Sequence, residues 1–517
     1  MRTILYDAAF PNMGIQYILG VLKSRGYDVD LYYDPSLSRD YVAQNFPFAK
    51  YFSLSNEQVA KDILDMKPDI VGFSVHTLNY TANMDLIRGL KRLRPDIVTV
   101  CGGIHATLAP KAVLDNKEVD FVIVGEGELS FPALIEALKG RSPDEIKTVG
   151  ASELPGVWNR CEGYIVNRGV SPLVTNLDEI PFPEKALYHR QNPALHSLYM
   201  IIASRGCVYR CTYCNVPTLS RLYEDCPTGP FYRTRSVENV MRELQMAMDR
   251  FAPRQFEFWD TIFGGSRPWL YEFIKRYKEE IGIPYAIQTS PLLHNRETLQ
   301  LLAESGCITM ELGFQAANAE VREKVLNRHE TNDRVKQVVI EAERVGIGVE
   351  LDFIVDLPGE KKAHVQESLD FVAETHPWKA YMFFLQYFPR VPIAETALET
   401  GILQPEDITK LDHGEQIRSL RFSSRNLGDF YSLIPVQLLL ACHLPTRWGK
   451  RMMRWVEKPV LRHLCAVAGP LCMYLSHFFS ALFDKKDTFT RHNLARISYS
   501  IRRVLRRKRG GSIGPKT

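Results

Sequence analysis

A surplus of one charge is missing from this chain of 517 residues: 64 Lys and Arg stand against 60 Asp and Glu. The resulting net +4 gives no reason to expect a polyanionic partner. No long apolar run ending in small residues follows the start MRTILYDAAF, so a secretory leader is not expected. Cysteine is sparse, 10 in all, and without a leader these read as reduced thiols or metal ligands rather than a disulfide framework. Internal repeats and low-complexity segments are absent. With 45% apolar and 24% charged residues, disorder and fibre are excluded, and the length suggests about three or four domains.

The even balance conceals one asymmetry. From Lys485 to Thr517 there are eleven Lys or Arg and a single acid, Asp487, so this end carries +10 and the rest −6. The first 145 residues alternate apolar strands with helical patterns. Strands are expected at Arg2–Asp7, Tyr27–Tyr32, Asp69–Ser74, Asp96–Cys101 and Phe121–Val124, with helices at Gly14–Arg25, Asp85–Leu93 and Lys111–Asn116. Continuously apolar strands, each followed by a helix, imply a parallel sheet covered on both faces, a doubly wound, Rossmann-like α/β domain. Residues 146–195 lose that rhythm and read as a linker with no strong helix or strand.

A second alternating run fills 196–402. Its strands are expected at Tyr199–Ser204, Gln255–Trp259, Tyr285–Thr289, Thr309–Gly313, Glu350–Asp356 and Tyr381–Phe388. Helices are expected between them at Val237–Phe251, Trp269–Ile281, Arg296–Ser305, Ala319–Leu326 and Asp333–Val345. Six strands with crossovers on one side make a partial (β/α)6 barrel, whose active residues gather at the C-terminal strand ends. After this the strand signals stop. Residues 403–483 read as a helical region holding two apolar stretches, Leu433–Leu444 and Leu464–Phe483, and 484–517 form the basic tail.

The most informative residues run from Ser204 to Cys214, where Cys207, Cys211 and Cys214 give a C-x3-C-x2-C spacing just after the first barrel strand. Three thiolates on one tight loop can ligate three irons of a 4Fe–4S cube and leave the fourth iron open to a small molecule. Structural zinc, the bland alternative, wants four closed ligands, for which Cys226 would have to serve.

From these cysteines onward the chain resembles the radical S-adenosylmethionine (SAM) superfamily. The resemblance implies a 4Fe–4S cluster held by Cys207, Cys211 and Cys214, and cleavage of SAM to a 5′-deoxyadenosyl radical. It places Tyr213 beside the adenine. The family's polar second-strand motif falls on Trp259-Asp260-Thr261, which makes Asp260 the acceptor for the SAM amino group; many relatives carry two acids there, and this chain has Thr261. Glu311 to Gln315 resembles the element near the SAM ribose, with Gln315 in place of the usual acid. Val325 to Arg328 matches a frequent family element, and Asp352 to Glu360, including Gly359, matches the fifth-strand motif near adenine.

The first domain carries glycines at two strand ends, Gly102-Gly103 before His105, and Gly125-Glu126-Gly127-Glu128. Such glycines let backbone approach a ligand, but no G-x-G-x-x-G follows the first strand, so a dinucleotide reading is weak. The layout resembles the cobalamin-binding domain joined to many radical SAM enzymes, which assigns Ser74, Thr77, Gly102, Gly103, His105, Gly125 and Glu126 to the cofactor. The Asp-x-His-x-x-Gly element that supplies a lower cobalt ligand is lacking: Asp7 to Gly14 holds no histidine, and His76 and His105 are the nearby imidazoles.

Both resemblances imply a cobalamin-dependent radical SAM enzyme using cluster, SAM and cobalamin, with C-methylation of an unactivated carbon of a small, hydrophobic substrate as the expected outcome. The alternative is oxidative cyclisation, because the motif order also resembles the anaerobic magnesium-protoporphyrin ester cyclase and hopanoid-modifying groups. A methylthiotransferase would need a further N-terminal cysteine set, and Cys101 and Cys161 are too few. A non-enzymatic cobalamin sensor conflicts with the cysteine loop. Expected partners are a reductant such as flavodoxin or ferredoxin and no nucleic acid, in a cytoplasmic setting. Leu464–Phe483, twenty residues without Lys, Arg, Asp or Glu, fits a buried helix, an interfacial one or a span, and together with the basic tail raises peripheral membrane contact.

Overall fold

The computed structural model describes residues 1–8, 10–40, 43, 48–141, 145, 154–161, 163–224, 229–415, 433–458, 461–462, 484 and 486–509. Its first sheet takes β1 (Thr3–Ala8), β2 (Val29–Asp34), β3 (Ile70–Ser74), β4 (Val98–Gly102) and β5 (Phe121–Ile123) in parallel, with Thr3 of β1 beside Val29 on one side and Ile70 on the other. The sheet order is β2-β1-β3-β4-β5-β6-β7, so the switch point lies between β1 and β3. Both faces are covered: Tyr6, Val71 and Phe73 belong to one buried cluster, and Leu5, Leu31 and Ile70 to another. Two helices that the periodicity did not mark, Asn56–Asp65 and Gly127–Leu138, belong to this cover.

The stretch expected to be a linker does more. It adds β6 (Val157–Cys161) and β7 (Tyr164–Val166) antiparallel at the sheet edge, and a short helix, Ala186–Gln191, whose Tyr188 hydroxyl donates to Asp7 at 2.6 Å. Strands of five and three residues are too short to show an alternation, which is why the sequence hid them.

The second sheet begins with β8 (Leu198–Ile201). A two-residue ladder, β9 (Ser204–Arg205) with β10 (Arg233–Thr234), leads away from it. Then come β11 (Gln255–Phe258), β12 (Tyr285–Thr289), β13 (Cys307–Gln315), β14 (Gly348–Val355) and β15 (Lys379–Phe384). The order β15-β14-β13-β12-β11-β8 follows the chain, and every pairing is parallel, as a partial (β/α)6 barrel requires. Between β14 and β15 lies a helix absent from the sequence reading, Lys362–Thr375, and the pattern at 319–326 resolves into a single wide π turn, Val321–Val325.

The first apolar stretch forms helix Ile434–His443, whose Ile434 and Ala441 join the barrel's own buried cluster. The second apolar stretch, Leu464–Phe483, lies outside the described residues. Among those described, no helix is long and apolar enough to cross a membrane.

The basic tail also departs from expectation. Helix Thr488–Lys508 is docked on the first domain: Val504 is fully buried in that domain's core, Arg496 is buried against Asp40, and Arg503 donates to the Tyr33 carbonyl at 3.2 Å. Arg507 bonds Asp62, and Lys508 donates to the Tyr51 carbonyl at 2.6 Å. At the other end Asp487 meets Lys379 of β15 at 2.9 Å, and Phe489 packs beside Phe10 and Trp259. Two of the tail's cations, Arg496 and Arg507, are therefore neutralised by acids of the first domain, and Arg503 and Lys508 are held by its backbone carbonyls. Removing Arg496 (Arg496→Ala) leaves Asp40 without its buried partner and should cost about 3–5 kcal/mol, whereas Arg502→Ala on the exposed side should stay within about 0.5 kcal/mol. Thermal-shift melts of the two variants check this.

Candidate cofactor site

After β9 the chain must turn sharply into the cysteine loop, and Gly206 makes that turn with φ +84°. A Cβ there would lie 2.6 Å from the Phe231 carbonyl oxygen, so no other residue fits. All three cysteines of the loop are free thiols; Cys211 is buried, Cys207 and Cys214 partly so. Cys214 caps helix Asn215–Arg221, its sulfur accepting the Val216 amide at 3.5 Å. The end of the π turn and the residues after it hold the loop: Thr212 donates to the Val325 carbonyl at 2.5 Å, and Asn327 to the Arg210 carbonyl at 2.8 Å.

One residue here had no role in the sequence reading. Arg328 points its guanidinium at Cys211 Sγ (3.8 Å) and the Tyr213 hydroxyl (3.2 Å), and is held by the Gly313 carbonyl and Glu330, each at 2.5 Å. Burial pushes the cysteine thiols up, Cys214 to about 11, while the Arg328 charge pulls the other way. A bound metal ion removes such protons outright. Among the described residues no three His, Cys, Asp or Glu converge to hold a single metal ion. A cube asks for something else, one thiolate per iron, which three thiols on one loop offer.

The other SAM-side residues fall around this loop. Asp260, at the end of β11, is fully buried and accepts from the Ala203 amide (3.1 Å) and the Ser204 hydroxyl (2.5 Å); burial raises its pKa to about 6. Both of its oxygens are thus engaged by the strand end that leads to Cys207, and Thr261 donates to the Gly206 carbonyl. Gln315 closes β13 in the left-handed region, φ +72°, beside a bulge in the β13–β14 pairing. Gly359 lies in the turn after β14, where Glu360 accepts from the Asp356 amide at 2.6 Å.

Inside the barrel the structure gathers Glu257, Glu311, Glu350 and Asp352, which strand positions alone did not reveal. Glu311 and Glu350 are register partners, as are Gly313 and Asp352. Burial raises Glu257 to about 8 and Glu350 to about 7, with Lys379 opposing the shift at Glu350. Glu311 and Asp352 share a hydrogen bond and both shift upward. The lumen therefore holds carboxyl groups that exchange protons near neutrality. Because these folded-state pKa values exceed the unfolded ones, their effect is absent below about pH 4 and destabilises as pH rises towards 8. The melting temperature of the unliganded protein should fall between about pH 6 and pH 8.5, and Glu257→Gln with Glu350→Gln should flatten that fall.

At the C-terminal ends of β1, β3, β4 and β5, beside the switch point, lies a cavity of about 270 Å³. It is lined by Ser74, Gly102, Gly103, Gly125 and Glu126 among the expected residues, and its wall is otherwise largely apolar. Gly103 (φ +94°) and Gly125 (φ +97°) are needed: a Cβ would strike the Val75 backbone at one and the Tyr223 hydroxyl at the other. Glycine backbone around an apolar slot fits a flat cofactor tail. Thr77 and His105, by contrast, do not line the cavity. Thr77 bonds His105 Nδ1 at 3.0 Å, and His105 Nε2 donates to the Asp412 carbonyl at 3.0 Å, because helix Ile104–Leu108 turns the ring away. Burial lowers His105 to about 4, so it is a neutral tie to the C-terminal region. His76 is engaged as well, accepting from Asn12 at 2.8 Å, and the loop after β1 presents Phe10 stacked on Trp259 at 4.9 Å.

Cradle and cysteine loop meet through charge. Arg205, two residues before Cys207, lies 2.6 Å from Glu128 and 3.3 Å from Glu126, and Arg233 pairs with Glu126 at 2.6 Å. Arg205 also lies over the Tyr17 ring and lines the cavity.

Comparison with known proteins decides the reading. The family description "Radical SAM superfamily" matches residues 201–372, and "B12 binding domain" matches 4–135. The chain belongs to the cobalamin-binding radical SAM superfamily. It is 28% identical to the cytidylyl-2-hydroxyethylphosphonate methyltransferase of Streptomyces wedmorensis, over 76% of this chain and 79% of that one. It is 25% identical to the anaerobic magnesium-protoporphyrin IX monomethyl ester cyclase of Rubrivivax gelatinosus, over 72% of this chain and 64% of that one. Among solved structures, the cobalamin-dependent SAM radical enzyme OxsB superposes with TM-score 0.63 at 14% identity, covering 99% of this chain and 80% of that one. The radical SAM methyltransferase TsrM of Kitasatospora setae gives 0.59 at 18%, covering 77% and 76%.

A member of this superfamily takes a 4Fe–4S cluster, SAM and cobalamin, and the residues present suit them: three free thiols on one loop and a glycine-lined apolar cradle. Arg205→Ala should leave Glu128 and Glu126 short of a buried partner, at about 3–5 kcal/mol, and loosen the cradle while sparing the thiols. The expected result is lower cobalamin retention after gel filtration with iron content near wild type; Cys211→Ala should show the reverse.

Proposed function

We propose that this enzyme places a methyl group on an unactivated carbon of a small, hydrophobic molecule. Bound together, the cluster, SAM and cobalamin supply hydrogen abstraction and a transferable methyl group. The chain's own part is to hold two sites in one frame. The observation that carries the reading is the Glu126–Arg205 and Glu128–Arg205 pairing, which ties the cofactor cradle to the loop of Cys207, Cys211 and Cys214. Asp260 orders the start of that loop through Ala203 and Ser204, and Arg328 braces Cys211 and Tyr213. Tyr213, Gln315 and Gly359 then face the SAM side, while Ser74, Gly102, Gly103, Gly125 and Glu126 hold the cobalamin side. Phe383 and Phe384, exposed at the end of β15, offer an apolar surface where barrel enzymes gather their active residues. A methyltransferase among the relatives, aligned over three quarters of the chain, supports the same outcome. A flavodoxin or ferredoxin would supply the electrons.

A second reading, oxidative cyclisation, has one observation in its favour. Glu257 and Glu350 titrate near neutrality inside the barrel and so can take a proton from an oxidised substrate, and a cyclase stands among the relatives. Anaerobic reconstitution with hydroxocobalamin, followed by incubation with cell extract and deuterated-methyl SAM, separates the two. Label in a new compound supports methyl transfer; deoxyadenosine formation with an oxidised, unlabelled product supports cyclisation. If SAM is not cleaved at all, both readings fail.

A further inference from the structure

Helix Thr446–Val456 lies on the outside of the barrel and splits cleanly into two sides. Gly449, Met453 and Val456 face inward; Met453 belongs to the barrel's buried cluster, and a Cβ at Gly449 would lie 3.1 Å from the Leu440 carbonyl oxygen. The outer side carries Arg447, Trp448, Arg451, Arg454 and Trp455, with Lys458 just beyond, all exposed. At about 100° per residue these outer side chains fall within an arc of roughly 120°. Trp448 and Trp455 are two turns apart on one edge of it, 57% and 45% exposed. Two bulky indoles in water are a cost that a folded protein rarely carries without a partner.

The charges identify that partner. Neighbouring Lys450 is paired with Glu374 at 2.6 Å, and Glu457 with Lys362 at 2.6 Å. Arg447, Arg451, Arg454 and Lys458 have no ion pair among the described residues, and Arg451 lies 5.8 Å from the Trp448 ring centre. The face is thus cationic with indoles along its edge and no acid. Indoles settle at the depth of lipid headgroups, and Lys and Arg beside them meet anionic headgroups. We propose that this face is the membrane-docking surface of the enzyme, and that its partner is a bilayer bearing anionic lipid. Helix Thr488–Lys508, the candidate that the charge distribution suggested, is spent on the first domain; helix Thr446–Val456 takes its place.

The test uses the full chain with vesicles of phosphatidylcholine alone or mixed with phosphatidylglycerol. Wild type should sediment with the mixed vesicles, with blue-shifted tryptophan emission, and should stay in solution with the neutral ones. Each cation near an anionic surface contributes roughly fivefold in partitioning. Arg447→Glu/Arg451→Glu/Arg454→Glu should therefore lose on the order of 100-fold or more. Trp448→Ala/Trp455→Ala should lose the blue shift and most of the binding. Circular dichroism of both variants should match wild type, because every substituted side chain is exposed. The proposal is overturned if wild type ignores the mixed vesicles or if the charge-reversed variant binds them equally. It is likewise overturned if the tryptophan variant binds vesicles and soluble heparin as wild type does, which would make the face a purely electrostatic patch.

Discussion

Four charged side chains withdrawn from water hold this enzyme's geometry. Arg205 and Arg233 come from the barrel side, Glu126 and Glu128 from the loop that lines the cradle, and their charges balance. Stripping water from such groups is expensive, and their mutual attraction repays it only while all four stay in place. That condition makes the arrangement directional. A domain interface held by apolar contact can slide by an ångström at little cost, whereas one held by a bidentate guanidinium cannot. Because Arg205 stands two residues before Cys207, the position of the cradle is transmitted to the cysteine loop through a single turn of backbone at Gly206.

The same logic recurs around the loop. Asp260, Asn327 and Arg328 come from two distant parts of the chain, yet each is hydrogen-bonded to residues between Ala203 and Tyr213, and Thr212 of that stretch donates back to the Val325 carbonyl. Several of these groups would be unusual in open water: a carboxyl near neutrality, a left-handed glutamine, a guanidinium turned towards sulfur. Strain and burial of this kind persist only where the surroundings over-determine them.

Much of this was legible in the sequence, and what was not has a common cause. The cysteine spacing and the strand–helix alternation are local, so Cys207, Cys211, Cys214 and the six barrel strands could be read directly. The glycines of the cradle were legible because a left-handed turn leaves its mark on residue type. Glu311, Glu350 and Asp352 were not, because which strand residues face inward depends on the curvature of the barrel rather than on any one strand. His105 sits in the right motif, but the helical turn after Gly103 rotates it out of the cavity and onto Asp412, some three hundred residues away, and Thr77 is bonded to that turned ring. The pairing of Arg205 with Glu128 spans 77 positions, and composition gives no hint of it. In the tail the charge was legible and its partners were not: Asp40 and Asp62 lie more than four hundred residues upstream of Arg496 and Arg507.

The docking of the last helix also governs how the molecule is made. Val504 completes a hydrophobic core whose other members lie between Ile4 and Trp158, so the first domain is built from segments more than three hundred residues apart and is missing a piece of itself until helix Thr488–Lys508 has been made. Until that helix docks, the groove that receives Val504 and Arg496 lies open.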